Sequence, residues 1–308
     1  MRGTAVDRHS IWAGLALACV LASCGSQPEK TISMPTLNNL TYAGIYRTPV
    51  TLQNGTYEGQ PFVQGGAARP RVQLVSSLQV YGDLDGDGSD ETAVFLTESS
   101  AGSGTITWLA VVAQRNGQAM NVATRRIGDR VQIRSLTYKK GTLVLDMIAA
   151  GPHDPACCPT LKIRNTYRLD SGQLVEVESR KEGQVSLRDL EGRIWRLTRF
   201  PTDTPVPDGI TVNIVFKEDK VAGTGGCNRY FASIKNNAAE EIAIGPISST
   251  RMACPLAEID MESRYLQALQ NVERFSFLAG DLILTWQDKT GVHAMRFAGL
   301  QGEANQKS

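Results

Sequence analysis

The chain has 308 residues, 42% of them hydrophobic, and a formal net charge of +1. This length provides enough apolar residues for two ordinary domain cores. Without residues 1–23, which hold Arg2, Arg8 and Asp7, thirty basic and thirty acidic side chains remain. Such a neutral balance argues against nucleic acid or an anionic surface as the partner.

The N-terminus has the pattern of a bacterial export signal. Two basic residues precede an apolar run over residues 11–20, which is too short to span a bilayer as a helix. The run leads into Leu21-Ala22-Ser23-Cys24, which matches the bacterial lipobox. We therefore predict a lipoprotein signal peptide over 1–23, with diacylglyceryl and palmitate chains on Cys24. The alternative is an ordinary cleaved signal in which the cysteine is incidental.

A lipidated N-terminus predicts a chain that is anchored to the cell envelope and otherwise lies in water. Gly25, and not Asp, follows the cysteine. This pattern resembles outer-membrane lipoproteins of two-membrane bacteria, so the outer membrane facing the periplasm is the expected location. Residues 24–36 are polar, contain two prolines and are predicted to be a tether.

Residues 37–180 are predicted to form one all-β domain. Short runs of β-branched and aromatic residues recur there between Gly, Asn and Asp. Turns are expected at Asn116-Gly117 and Lys140-Gly141, because glycine takes a positive φ without penalty. The predicted strands are Arg71–Ser77, Glu91–Thr97, Thr105–Ala113, Arg130–Tyr138, Thr142–Ile148 and Ile163–Leu169.

An acidic loop lies at the start of the second of these strands. Several oxygens from one short loop are what a hard cation such as Ca²⁺ requires, and Gly88 permits the sharp turn. Because Val94 stands where an EF-hand has its bidentate glutamate, the loop resembles instead the Ca²⁺ loops of FG-GAP/VCBS repeats, in a single copy. We expect a structural ion, with an ion-free acidic turn as the alternative. The candidate ligands are Asp83, Asp85, Asp87, Ser89 and Glu91.

A second loop contains the adjacent cysteines Cys157 and Cys158, with His153 shortly before them. Three interpretations are open. The two cysteines form a disulfide that is comparatively easy to reduce; together with the histidine they hold a soft metal such as Cu⁺ or Zn²⁺; or one of them pairs elsewhere, including with another molecule. A covalently fixed loop is favoured over metal or redox chemistry.

Residues 181–192 are charged, contain two glycines and are predicted to be a linker. The second domain, 193–300, is predicted to be an antiparallel sheet with one packed helix, Pro255–Val272, whose apolar residues recur on one face. Residues 301–308 are expected to be a flexible tail. The predicted strands are Arg193–Thr198, Thr211–Phe216, Lys220–Ala222, Tyr230–Lys235, Phe275–Leu278, Leu282–Gln287 and His293–Ala298.

Cys227 and Cys254 each lie among small or polar residues in this second domain. Because export places the chain in an oxidising compartment, we expect them to be bonded to each other. A reactive or metal-binding thiol pair is the alternative, although neither cysteine has a His or a second Cys at ligand spacing.

Three segments of the second domain resemble the META (HslJ-like) domain family. They are Ile194–Leu197, Gly226–Tyr230 and Thr250–Cys254, within a stretch from about Arg193 to Phe297. The resemblance implies a small β-rich domain of envelope lipoproteins with no established catalytic chemistry. It also suggests roles in stress tolerance or secretion.

We therefore predict a non-enzymatic role in binding or envelope maintenance, with an unknown protein or small molecule as partner. Two other classes stay open. An envelope enzyme requires His153 or His293 beside a nucleophile or a metal. A carrier of a small apolar ligand requires a cavity inside the second domain, lined by residues such as Trp195, Phe216, Leu266 and Trp286.

Overall fold

The computed structural model describes residues 1, 31–100, 104–152, 154–155, 158–236 and 238–300, without the side chain of Ser100. The lipid site Cys24, the predicted signal peptide beyond Met1 and the predicted tail at 301–308 lie outside the described residues. The described chain is mainly antiparallel β structure with one long helix, which confirms the predicted fold class.

Two antiparallel sheets make up most of the N-terminal part, and both are built from neighbouring hairpins. Its elements are α1 (Met34–Leu37), β1 (Thr41–Tyr42), β2 (Val50–Thr51), β3 (Thr56–Glu58), β4 (Pro70–Gly82), β5 (Glu91–Ser100), β6 (Ile106–Arg115), β7 (Gln118–Asp129), β8 (Gln132–Lys139), β9 (Thr142–Ala149), β10 (Leu161–Asp170) and β11 (Gln173–Gln184). The first sheet has the order β3-β4-β5-β6-β7 and the second has the order β11-β10-β9-β8, while β1 pairs with β2.

The first sheet is buried on both faces. On one face, Phe95 and Leu109 pack with Leu145 of the second sheet, so the two sheets form a sandwich with a shared core. On the other face, Val94 and its neighbours pack against the segment that contains Leu37. Burial from both sides explains the continuous apolar run Ala93–Leu96 in β5, because successive side chains of a strand point to opposite faces and both faces are covered there.

The C-terminal part is one long sheet that curls around a helix. Its elements are a 3-10 helix (Leu187–Leu190), β12 (Ile194–Arg199), β13 (Asn213–Lys217), β14 (Lys220–Thr224), β15 (Arg229–Lys235), β16 (Ala243–Ile244), β17 (Ser248–Ser249), α2 (Leu256–Gln270), β18 (Arg274–Leu278), β19 (Asp281–Asp288) and β20 (Gly291–Leu300). The strand order is β16-β15-β14-β13-β12-β20-β19-β18, and β17 pairs with β15. A backbone bridge between Glu241 and Arg274 brings the two ends of the sheet together.

Helix α2 fills the inside of this curled sheet. Tyr265 is fully buried, and its hydroxyl lies 2.6 Å from the hydroxyl of Tyr230 on β15. Met261 and Leu269 extend the same buried face of the helix, as its apolar stripe predicts. Within the described residues, no helix has both the length and the apolar character needed to cross a membrane.

The two parts are joined by packing as well as by the chain. The segment 181–192, predicted as a linker, contains the end of β11 and the 3-10 helix, and its Val185 and Leu190 are buried in the C-terminal core. Elsewhere Gln132, at the start of β8, accepts a hydrogen bond from the backbone N–H of Phe277 at 2.9 Å. The same side chain donates to Oε1 of the buried Glu240 at 2.7 Å.

Candidate functional site

The acidic loop connects β4 to β5 at the edge of the sandwich core. The side chain of Leu84 is buried in that core and anchors the loop. Asp83 turns the backbone inward, since its Oδ1 accepts from the N–H of Gly86 at 2.7 Å and its Oδ2 from the N–H of Gly88 at 3.1 Å. Both glycines have a positive φ, 81° and 85°, which other residues rarely adopt.

Glu91, the first residue of β5, lies beneath this loop and is fully buried. Its Oε2 accepts from the N–H of Leu84 at 2.9 Å. Its Oε1 has no hydrogen-bond partner among the residues that the structure describes. Burial raises the pKa of Glu91 above its ordinary value, although the hydrogen bond from Leu84 opposes that shift. A buried carboxylate oxygen without a partner is costly unless something supplies the missing contact.

Three of the five predicted ligands come together around that oxygen. One carboxylate oxygen each from Asp83, Asp85 and Glu91 lies within 4.8 Å of the others. The other two predicted ligands, Asp87 and Ser89, lie at the exposed rim of the loop. Oδ1 of Asp87 accepts from the N–H of Ser89 at 2.8 Å, and this hydrogen bond lowers the pKa of Asp87. Oxygen ligands of this number and closeness fit a hard cation such as Ca²⁺.

A residue that sequence analysis missed also reaches the loop. Arg115, the last residue of β6, pairs with Asp85 and with Oδ2 of Asp87, the second at 2.9 Å. The same guanidinium lies 4.0 Å from Oε1 of Glu91. No local sequence pattern indicates this contact, because Arg115 ends a different strand and meets the loop only through the pairing of β5 with β6.

Cys227 and Cys254 are bonded to each other, which confirms the predicted disulfide. A buried carboxylate next to this bond was not predicted. Glu262 of α2 accepts hydrogen bonds from the backbone N–H groups of Cys227 and Asn228 and, at 3.0 Å, from the side-chain amide of Asn228. Asn228 in turn accepts from the N–H of Met252 at 2.7 Å, so one polar network fixes both sides of the bond.

The loop with the adjacent cysteines is described in part, because His153 and Cys157 lie outside the described residues. Cys158 is disulfide-bonded. Asp154 holds the loop to the start of β10, since its Oδ2 accepts from the N–H of Gly151 at 2.8 Å and from the N–H of Thr160 at 2.6 Å. These hydrogen bonds fix Asp154 between Gly151 and Thr160.

His293 on β20 has partners of its own. Its Nε2 lies 2.9 Å from Oδ1 of Asp288 and 2.8 Å from Oγ1 of Thr290, and its ring stacks on Trp286. The Asp288 and Thr290 oxygens also contact each other at 2.5 Å. Both oxygens thus meet at the same ring nitrogen, an arrangement that fixes the turn between β19 and β20.

The four residues proposed for an internal cavity are spread over the second domain. Trp195 and Phe216 are packed in the core with 1% and 2% exposure. Phe216, Leu266 and Trp286 line three separate surface depressions. A larger cavity, of about 620 Å³, lies instead between the two parts of the chain; its walls include Phe95, Ile133, Phe277 and Ile283.

The geometry defines a mainly β protein with a candidate cation loop and a disulfide bond in its C-terminal part. Residues 188–299 match the family described as META domain, which confirms the resemblance of this part of the chain. No curated protein matches the chain.

Two solved structures are similar in part. A protein from Burkholderia xenovorans, solved by NMR, is 21% identical with a TM-score of 0.31, and the match covers 38% of this chain and 87% of that one. A second NMR structure has the same identity and TM-score and is covered over 99% of its length.

Proposed function

We propose that this chain is a lipid-anchored protein of the bacterial envelope with a non-enzymatic role in binding or envelope maintenance, and that its acidic loop takes up a structural Ca²⁺. The META domain supports an envelope-associated role. The lipobox at Cys24 supports the lipid anchor and a location at the outer membrane facing the periplasm. The unknown partner is a protein or a small molecule.

The buried Oε1 of Glu91 is the observation that supports the ion. Asp83, Asp85 and Glu91 would hold it, and Asp87 and Ser89 offer further oxygens at the rim. Ca²⁺ would supply positive charge there and tie the loop between β4 and β5 to the end of the sandwich core. Since every proposed ligand belongs to one short loop, the role of the ion is structural.

Thermal unfolding with and without Ca²⁺ tests this site. Ca²⁺ at one hundred times its dissociation constant should add about 2.7 kcal/mol to the free energy of unfolding. Glu91→Gln should lose most of that gain, because it removes charge from the innermost oxygens. Asp90→Asn is the matched control, since Asp90 is exposed and lies outside the cluster. Equal gains in both variants, or no gain in the wild-type protein, would contradict the ion site.

Intact mass of the native protein tests the lipid anchor. The mature chain should begin at Cys24 and carry acyl groups, and Cys24→Ser should move the protein from the membrane fraction to the soluble fraction. Thiol alkylation before and after reduction counts the disulfides in the same sample. An unacylated chain that stays soluble would refute the lipid anchor.

The cavity between the two parts supports a second candidate function, the binding of a small apolar molecule. Its volume falls within the range of ligand sites, which often lie between domains. Fluorescence titration with the neutral probe N-phenyl-1-naphthylamine should saturate at one site. Thr285→Trp, which places a bulky side chain in the cavity, should weaken the binding, whereas Thr137→Trp on the exposed side of β8 should not. Unsaturable binding, or binding unchanged by Thr285→Trp, would exclude this function.

A further inference from the structure

The acidic loop already contains a positive charge supplied by the chain. The guanidinium of Arg115 contacts Asp85 directly and lies 2.9 Å from Oδ2 of Asp87. Its Nη1 lies 4.0 Å from Oε1 of Glu91, which is too far for a hydrogen bond. Arg115 therefore neutralises the outer rim of the loop and leaves the buried Oε1 of Glu91 without a hydrogen-bond partner among the described residues.

The same oxygens cannot serve both cations fully. Asp85 belongs to the cluster of three carboxylates and is also the residue that Arg115 contacts directly. Two positive charges that share one carboxylate repel each other, and burial strengthens that repulsion because water screens it less. A divalent ion that engages Glu91 and Asp85 must therefore weaken or break the contact with Arg115.

Arg115 is placed where it can move without disturbing the core. It is the last residue of β6, immediately before the Asn116-Gly117 turn, and its side chain is 35% exposed. Only the side chain of Arg115 contacts Asp85 and Asp87, since its backbone pairs with Gln118 in the hairpin. Rotation of the side chain into solvent would leave that pairing intact.

We propose that Arg115 is a tethered competitor of the divalent cation: it occupies the rim of the acidic loop when no ion is bound, and Ca²⁺ displaces it. This inference rests on the Ca²⁺ site of the proposed function. Arg115 thereby lowers the affinity of the loop for Ca²⁺ and sets the ion concentration at which the loop becomes rigid. It also couples the tip of the β6–β7 hairpin to ion binding.

Calorimetric titration with CaCl₂ tests the competition. Arg115→Gln should bind Ca²⁺ on the order of tenfold more tightly than the wild-type protein, the effect expected when one close like charge is removed. Arg126→Gln is the matched control, because Arg126 is exposed on β7 and lies outside the loop. The Ca²⁺ affinity of this variant should stay within about twofold of the wild-type value. Equal or weaker binding by Arg115→Gln would overturn the competition while the Ca²⁺ site stands.

Nuclear magnetic resonance of the arginine side chains provides a readout independent of affinity. Without Ca²⁺, the guanidinium protons of Arg115 should be protected from exchange with water by their carboxylate partners. At saturating Ca²⁺ that protection should disappear. Protection that persists at saturation would refute the displacement. If neither the wild-type protein nor Arg115→Gln binds Ca²⁺, the proposed ion site itself fails, together with this inference.

Discussion

Glu262 and Asn228 form a buried pair in which the carboxylate on α2 accepts from both the backbone and the side-chain amide of the asparagine. The same carboxylate accepts from the N–H of Cys227 at 3.3 Å. Helix α2 therefore holds the turn that carries the disulfide. Because the hydrogen bonds to this ionised acceptor are buried, they count among the stronger ones in the molecule.

Removal of this carboxylate should destabilise the C-terminal part. Glu262→Ala leaves three buried donors without their acceptor, and we expect a loss of about 3 kcal/mol in the free energy of unfolding. Urea unfolding with the disulfide intact measures it. Asp260→Ala is the control: Asp260 is exposed and pairs with Arg264 one turn away, so its loss should stay below about 0.5 kcal/mol. Equal losses in the two variants would refute the special role of Glu262.

The disulfide makes a separate contribution to stability. It closes a loop of 27 residues. In the chain-entropy description, such a loop lowers the entropy of the unfolded state by an amount worth about 3.5 kcal/mol. Replacing both Cys227 and Cys254 by Ser should remove that contribution.

Urea unfolding compares this double variant with the wild-type protein, with and without a reducing agent. The reductant also reduces the bond at Cys158 in both proteins, so it should lower the stability of the wild-type protein by about 3.5 kcal/mol more than that of the variant. A variant as stable as the oxidised wild-type protein would contradict the expected contribution.

Elements with a strong pattern of their own were predictable from the sequence. The predicted strand Glu91–Thr97 is the first part of β5, and the predicted helix Pro255–Val272 contains α2, Leu256–Gln270. In both cases the segment buries its own apolar residues, so the pattern and the fold agree. Pro255 stands just before the first helical residue, since its backbone is extended.

Two long strands of the N-terminal part were missed. Both β7 (Gln118–Asp129) and β11 (Gln173–Gln184) lie at the edge of a sheet and carry many polar and charged side chains. Most residues of β11 are exposed, so its hydrophobic pattern is weak. Pairing with the neighbouring strand defines these elements, and a single sequence does not display that pairing.

The local part of the candidate site was visible in the sequence, and the distant part was not. Asp83, Asp85 and Glu91 follow one another in a loop, so their spacing alone suggested a cation. Arg115 and Glu262 reach their partners only after strands pair and the helix docks. Their contacts with Asp85 and Asn228 span 30 and 34 residues, and no local motif records contacts over that distance.

Gln132 should control how tightly the two parts of the chain are held together. Its side chain accepts from the N–H of Phe277 and donates to Glu240. Gln132→Ala removes the acceptor, and the loss of a hydrogen bond worth about 1 kcal/mol corresponds to roughly fivefold faster opening. Hydrogen exchange of the Phe277 amide measures this. Gln114→Ala, at an exposed position of β6, should leave the exchange rate of the Phe277 amide unchanged. Slow exchange of this amide in both variants would show that its hydrogen bond to Gln132 is dispensable.

The carboxylate of Asp288 should stabilise the folded protein above its ordinary pKa, and this contribution should be lost in strong acid. Its Oδ1 accepts from the hydroxyl and the backbone N–H of Thr290, and it also contacts His293; these hydrogen bonds lower the pKa of Asp288 to about 2. The ordinary pKa of Asp in an unfolded chain is about 3.9. Because the folded value is the lower one, the stabilisation is complete above the unfolded pKa and is lost as the pH falls from about 4 to about 2.

Asp288→Asn should therefore flatten the fall in the free energy of unfolding over that interval. Asp203→Asn, at an exposed position where the structure shows no side-chain hydrogen bond for the carboxylate within the described residues, should retain the wild-type pH dependence. Thr290→Val removes the hydroxyl donor and should raise the pKa of Asp288 toward its ordinary value. The chemical shift of the Asp288 carboxyl carbon reports that pKa directly. A wild-type midpoint near the ordinary value would contradict the role assigned to Thr290 and His293.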